Sequence, residues 1–401
     1  MKIAIYNASL HTAGGGEKYI GVIAEYLSKN HQVEFITRES VEKSEIEEKL
    51  HLDLSRVKIN SYRELTEENL PAYIKDYDYF INSSYMSGFY SPTKQSAIII
   101  FFPSFIKHKY PIWLYKLKYV VLNKIFKSPN IKLETTNKFL LKLNAHYLYA
   151  YNFLVCRNYI KTYGKRISIS IYSQYWTKKE LGVSSDILYP PVDVDQFKPG
   201  KKENIILSVG RFFLGNHSKK QFEMIKIFKE MYDKYPEVNH YEYHVCGGVG
   251  KDPENIKYME LCKVEAKGYP IYIHENIAFD DLKELYSRAK IFWHATGLNE
   301  DINKEPNKFE HFGITTVEAM SAGVVPVVIG KAGQVEIVES SKNGYLWDNT
   351  TELMDFTLKI MRDDSLGNEL AAKAVEDSKK FSKQQMYNRI EELFGDIDSK
   401  R

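Results

Sequence analysis

The stretch EHFGITTVEAMSAGVVPVVI, residues 310–329, reads as a loop, a short helix and a strand in succession. GVVPVVI is apolar throughout, as strands buried on both faces of a sheet are. In the helix before it, Val317, Ala319 and Met320 surround Glu318, and a carboxylate in that company is costly unless something pairs with it. A structural ion pair or a helix cap would satisfy one glutamate. A phosphorylated ligand would use more of the stretch. Gly313 stands where loop becomes helix, so the amides of Ile314 and Thr315 and the helix dipole can hold phosphate oxygens. Glu318, about one turn on, can accept from two adjacent hydroxyls, as on a ribose. Glu310, on the loop, can accept from hydroxyls of a sugar joined to the phosphate.

Outward from this stretch the chain alternates strands and helices. KIAIYNA, QVEFIT, RVKIN, YDYFINSS, SAIIIFFP and RISISIYS read as strands of one series, with helices at EKYIGVIAEYLSKN, near 111–127 and near 136–163. ILYPPVDVDQFKPGKKE then breaks the pattern with three prolines and a charge run, and marks a boundary. A second series starts at NIILSVGR and runs through a helix at 219–235, YEYHVCGG, IYIHENI, IFWHA and the opening stretch. Such alternation predicts an α/β protein with parallel sheets and crossover helices. The expected organisation is two doubly wound domains, 1–198 and 199–380, and a last helical segment, 381–401, set off by KKFSKQ. Ligands of such sheets bind outside the carboxyl ends of the strands, so the expected site is an interdomain cleft.

At 401 residues the chain is long enough for two cores. The apolar run of MKIAIYNASL is too short for a signal peptide, and no stretch reads as a transmembrane helix. Three widely spaced cysteines, Cys156, Cys246 and Cys262, argue for a reducing compartment and against a disulfide framework or a zinc site. The net charge of +3 hides an asymmetry: residues 104–166 hold 13 Lys/Arg against one acid, Glu134. Trp113, Tyr115, Tyr119, Phe126, Tyr149 and Phe153 are among the aromatics interleaved with them. That mixture suits an anionic membrane surface. Single-stranded nucleic acid binders use the same ingredients, and a solvated basic face over an ordinary core is the plainest account. The membrane surface is the expected partner, not nucleic acid.

Three further groups carry chemistry. TAGGGEKY follows the first strand and opens a helix, so Gly14, Gly15 and Gly16 allow close backbone approach to an anion or a sugar oxygen. It is neither a Walker loop nor G-x-G-x-x-G, since Tyr19 takes the third glycine's place. A tight strand-to-helix turn would look the same. SVGRFFLGNHSKKQF places Arg211 at the end of a strand and Lys219 at the start of a helix, two cations that suit a diphosphate. His294, ending a strand in WHATG, is either a sugar contact or a packed strand histidine. Asp193-x-Asp195 looks like the Asp-x-Asp of metal-dependent sugar transferases, but it sits in the proline-rich stretch and reads as structural. No metal is expected, which leaves the diphosphate's charge to Arg211, Lys219 and helix amides.

Taken together these residues resemble family 4 of the retaining glycosyltransferases, which have the two-domain GT-B fold. The likeness covers nearly the whole chain: a glutamate-x7-glutamate pattern at Glu310 and Glu318, Gly-Arg…Lys at Arg211 and Lys219, the small-residue turn AGGGEKY, and EIVESSKNGYL. GGGEKY, FFPSF, IYSQYWT, LYPPVDV and EHFGI are similar to motifs of the transferases that extend the dolichol-linked oligosaccharide at the cytosolic face of the endoplasmic reticulum, and of their prokaryotic relatives. The resemblance implies a donor nucleoside diphosphate sugar, GDP- or UDP-linked, no separate cofactor, and a lipid-linked glycan acceptor. It implies a cytoplasmic chain held peripherally at the inner face of a membrane, and a last helix that crosses back to the N-terminal domain. It implies catalytic roles for Glu310, Arg211 and Lys219, and donor contacts at Gly15, Gly16, His294, Phe312, Gly313, Ile314, Thr315 and Glu318. A front-face reaction, in which the leaving phosphate takes the acceptor's proton, is implied too. In one departure, Phe101 stands where the narrower group has a histidine, and His108 is the acceptor-side candidate in its stead. A nucleotide-sugar epimerase or sugar phosphorylase on the same fold, and a non-catalytic glycan- or membrane-binding protein, are the competing functions.

Overall fold

The computed structural model describes the chain apart from residues 67–68, 86, 88–89, 92, 104–111, 128–136, 216 and 399–401. His108 therefore lies outside the described residues. Two compact units emerge, one from Met1–Ile169 with Ser173–Ile187, the other from Leu188–Gly395 with Ser170–Tyr172.

The first unit is built on a sheet of β1 (Lys2–Tyr6), β2 (Gln32–Thr37), β3 (Val57–Ser61), β4 (Tyr79–Asn82), β5 (Ser96–Ile100), β6 (Lys165–Ser168) and β7 (Asp186–Ile187). Their order is β3-β2-β1-β4-β5-β6-β7, with every neighbour parallel. Ile3, Ala4, Ile5 and Tyr6 of β1 are all buried, because a central parallel strand is covered on both faces. The strand expected over RISISIYS stops at Ser168. Ile171–Leu181 is helical instead, so the β-branched run overstates the strand. The two helices of the basic segment are Ile112–Phe126 and Lys138–Asn158, the second running on into a 3₁₀ turn at Tyr159–Thr162. Tyr115, Leu122 and Phe126 of the first face Tyr147 and Ala150 of the second, and Tyr147 donates to Asn123 Oδ1 at 2.7 Å.

The second sheet contains β8 (Ile205–Val209), β9 (Glu242–Gly247), β10 (Ile271–Glu275), β11 (Ile291–His294), β12 (Val325–Ile329) and β13 (Tyr345–Trp347). Their order is β10-β9-β8-β11-β12-β13, again wholly parallel. Successive residues of each strand serve opposite faces. Ile206, Tyr243, Val245, Trp293 and Val327 enter one core cluster, and Leu207, Cys246, Phe292 and Val328 the other. Trp293 is buried with its Nε1 donating 2.9 Å to Thr357 Oγ1, so its large apolar surface is covered without stranding a donor. The proline-rich stretch is not an open linker. Val192, Val194 and Phe197 are buried in this unit's core, and the units part at its start, between Ile187 and Leu188. Two helices past the opening stretch, Thr350–Arg362 and Asp364–Ser378, are each capped by a side chain, Asn349 and Asp363. Among the described residues no helix is long and apolar enough to cross a membrane.

Strand order reverses between β8 and β11, which pair through Ile206 with Ile291 and Leu207 with Phe292. Crossovers leave this point in opposite directions, so the loops after β8 and β11 diverge and open a crevice at the carboxyl end. Arg211 lies just past β8, and His294 ends β11.

Candidate active site

The site assembles at that switch point, and its centre is Glu310. Glu310 Oε2 accepts from Lys219 Nζ and, at 3.0 Å, from His294 Nε2. Lys219 comes from the loop before helix Gln221–Lys234, His294 from β11, and Glu310 from the loop before helix Ile314–Ser321, so three segments distant in sequence converge on one oxygen. Burial by itself would raise the Glu310 carboxyl. The ammonium of Lys219 and the His294 hydrogen bond outweigh it and hold the group well below the usual carboxylate range. Burial lowers His294, keeping the imidazole neutral, and the carboxylate needs a donor, so Nε2 carries the proton. Thr296 Oγ1 lies 3.2 Å from the same nitrogen, and Nδ1 is buried with no protein partner among the described residues.

The helix that follows opens on Gly313, whose φ of 125° lies where side chains are strained. A Cβ there would also come within 2.7 Å of Gln334 Nε2. Thr316 N and Val317 N both bond to Gly313 O, at 3.1 and 3.3 Å, which leaves the Ile314 and Thr315 amides at the open end of the helix. No side chain caps them. Gln334 Oε1 accepts from Thr316 Oγ1 at 2.9 Å, while its Nε2 is a buried donor without a protein partner among the described residues. Free amides, a helix dipole and an orphan amide donor at one point make a receptacle for anionic oxygens. Glu318 Oε2 accepts from Tyr286 OH at 3.1 Å. That phenol comes from helix Phe279–Arg288.

Arg211 is exposed, and its loop is pinned from beneath by Gln221 Nε2, which donates to the carbonyls of Gly210 and Arg211 at 2.9 and 3.1 Å. Phe312 is buried and packs on Tyr189 and Phe381, with ring centroids 5.6 and 5.2 Å away, so its ring is part of the core and only its backbone borders the site. Lys219, His294, Glu310, Phe312, Gly313, Ile314, Thr315 and Glu318 all belong to the second unit. Gly15 and Gly16 belong to the first and open helix Gly15–Leu27 just beyond the end of β1.

Residues 192–381 match the family model described as Glycosyl transferases group 1, a segment that contains this whole cluster. That segment, just under half of the chain, is similar to the group 1 glycosyl transferases. It is 28% identical over 233 residues to the GDP-Man:Man(3)GlcNAc(2)-PP-Dol alpha-1,2-mannosyltransferase of Dictyostelium discoideum, a match covering 53% of this chain and 42% of that protein. The Homo sapiens protein of the same name is 26% identical over 264 residues, covering 60% and 50%. The chain thus matches half or less of the length of these curated relatives. Among solved structures, Anabaena HepE in complex with UDP superposes with a TM-score of 0.68 at 14% identity, over 99% of this chain and 100% of that one. The fold is accordingly GT-B.

Group 1 motifs did not point to several residues that complete the cluster. His311 is buried, its ring 4.3 Å from that of His217 and perpendicular to it. Burial pushes both imidazoles down, and the Glu310 carboxylate only partly opposes this. Gly333 N donates to Glu310 O at 2.9 Å, and a Cβ on Gly333 would strike the Phe312 backbone at 2.5 Å. The turn Ala332–Glu336 therefore clamps the glutamate loop by close backbone approach. His217 had a signal, lying two residues before Lys219. Gln334, Gly333 and Tyr286 had none, since their contacts with the cluster exist only once the fold brings them there.

Proposed function

We propose that this chain is a glycosyltransferase that moves a hexose from a nucleoside diphosphate sugar to a lipid-linked or surface-glycan acceptor, with retention and without a metal. The observation that carries the reading is the ionised, buried Glu310 held by Lys219 and His294 through one oxygen, beside an uncapped helix terminus and the orphan donor of Gln334. Glu310 Oε1 has no protein partner among the described residues and is available to a sugar hydroxyl or to positive charge developing at the anomeric carbon. Arg211, Lys219 and the Gly313–Thr315 backbone stabilise the leaving diphosphate. Glu318, turned by Tyr286, takes the ribose hydroxyls. The leaving phosphate accepts the proton of the attacking hydroxyl, so no protein base is needed. The names of the curated relatives favour GDP-mannose as donor, and the HepE complex keeps UDP-sugars in the panel. The same reading places the chain peripherally at the inner, cytoplasmic face of a membrane.

The test is slow release of nucleoside diphosphate by the purified chain, without acceptor, from a panel of UDP-, GDP-, ADP- and dTDP-sugars. Release from one donor only, abolished in Glu310→Ala, is expected. No release and no thermal stabilisation by any nucleotide would overturn the reading.

A further inference from the structure

Helix Ile112–Phe126 is apolar on two faces. One face packs on helix Lys138–Asn158 through Tyr115, Leu122 and Phe126. The other carries Trp113, Leu117, Val120, Val121 and Ile125, which are 63, 52, 55, 51 and 56% exposed. Their spacing, i, i+4, i+7, i+8 and i+12, is that of a continuous helical stripe. A row of large apolar side chains in water calls for a partner, whereas single exposed ones do not. Lys116 and Lys118 lie beside the stripe, Lys124 within its last turn and Lys127 just beyond it, and neither helix of the hairpin contains an acidic residue.

From this arrangement we infer that the stripe enters the interfacial layer of an anionic lipid membrane. Trp113 and the four aliphatic side chains lie below the headgroups, and the lysines reach back to the phosphates. The inference deepens the reading of the basic segment as membrane-facing: it assigns the attachment to apolar insertion by five named side chains as well as to charge. The helix would lie in the plane of the interface, as amphipathic helices with lysine-flanked apolar faces do. Lys124 suits that geometry, because its long stem can bury while its ammonium stays at the phosphate level. A second copy of the chain fits the stripe less well. Two such faces placed together would juxtapose like-charged lysines with no acid in either copy of the helix to pair them. An anionic headgroup layer supplies the missing charge.

The experiment uses the full chain and vesicles of neutral phosphatidylcholine, with and without anionic phosphatidylglycerol, and needs no transferase assay. Its failure is therefore distinct from failure of the donor test. Of the four tryptophans, Trp176, Trp293 and Trp347 are buried, so a change in tryptophan emission on vesicle addition reports Trp113. Expected are binding to anionic vesicles, a blue shift that Trp113→Phe removes, and a bound fraction that survives about 1 M salt, where charges farther apart than about 3 Å are screened. Leu117→Ser with Val121→Ser leaves the charge unchanged and should weaken vesicle affinity by about tenfold or more. Both positions are exposed, so an unaltered thermal midpoint confirms that the variant folds. No binding, or binding wholly reversed by salt with no blue shift and no loss in the double variant, would overturn the inference. A concentration-dependent dimer that the double variant abolishes, without vesicle binding, would overturn it in favour of self-association.

Discussion

Each unit has a glycine-led helix start just past a central strand, and the two are built differently. In the first unit, the turn that leads into the helix at Gly15 is tied down by its own chain. Glu17 Oε2 accepts from Gly14 N at 3.0 Å and from Thr12 Oγ1 at 2.9 Å. Gly14 has an ordinary φ of −101°, and a Cβ on Gly16 would touch only the Phe101 ring, at 3.4 Å. In the second unit, Gly313 adopts a backbone few residues tolerate, and among the described residues the buried amide donor of Gln334 stands beside it unpaired. A helix start tied down without backbone strain is explained as a fold element. One held in strain and left open holds donors in reserve for something else. The proposed anion site at Gly313 thus has a strained backbone and an unpaired donor beside it that the glycine turn of the first unit does not share.

Glu310→Ala and Arg211→Ala should break the second site most severely, each lowering turnover by about a hundredfold or more, as loss of a preorganised charge does. Steady-state rates checked against an unchanged circular dichroism spectrum measure this, and near-normal turnover in either removes that residue's role. Next comes the glycine contrast. Gly313→Ala should cost about 1–3 kcal/mol of stability through strain and the clash with Gln334, whereas Gly16→Ala should cost nothing measurable. Denaturant midpoints decide it, and equal losses would erase the distinction drawn between the two turns.

A pH series sharpens the comparison further. His217, His294 and His311 are all pushed down by burial in the second unit, so the unfolded chain binds protons that the folded one refuses. Stability contributed there is present above the ordinary imidazole value of about 6.5 and is lost as pH falls from it through the lowered folded values. The thermal midpoint should therefore drop between about pH 7.5 and 5.5, and His311→Gln should flatten that slope. The smallest effect on activity is expected at the first turn. Glu17→Ala removes a cap and should cost about 0.5–2 kcal/mol, with donor release unaffected. A loss of donor release there as large as that of Glu310→Ala would show that the first turn also handles the anion.

Much of this was written in local pattern. Apolar runs separated by amphipathic segments predict parallel sheets because a strand covered on both faces has no polar face to show. Arg211, Lys219, Glu310, Gly313 and Glu318 could be named because charges and glycines beside buried strands are costly without a use. Strand ends were less legible: RISISIYS has strand-forming residues throughout, yet Ile171 onward is helical, since local propensity yields to tertiary context. Tertiary structure alone decided which strands are neighbours, and so that β8 and β11 meet and bring Lys219 and His294 to one carboxylate oxygen. It alone showed that Gln334 and Gly333 hold the glutamate loop and that, among the described residues, nothing buries the Trp113–Ile125 face of helix Ile112–Phe126. Composition and spacing record what each residue prefers. Partnership and exposure are properties of the packed chain, settled by contacts between segments that the sequence keeps far apart.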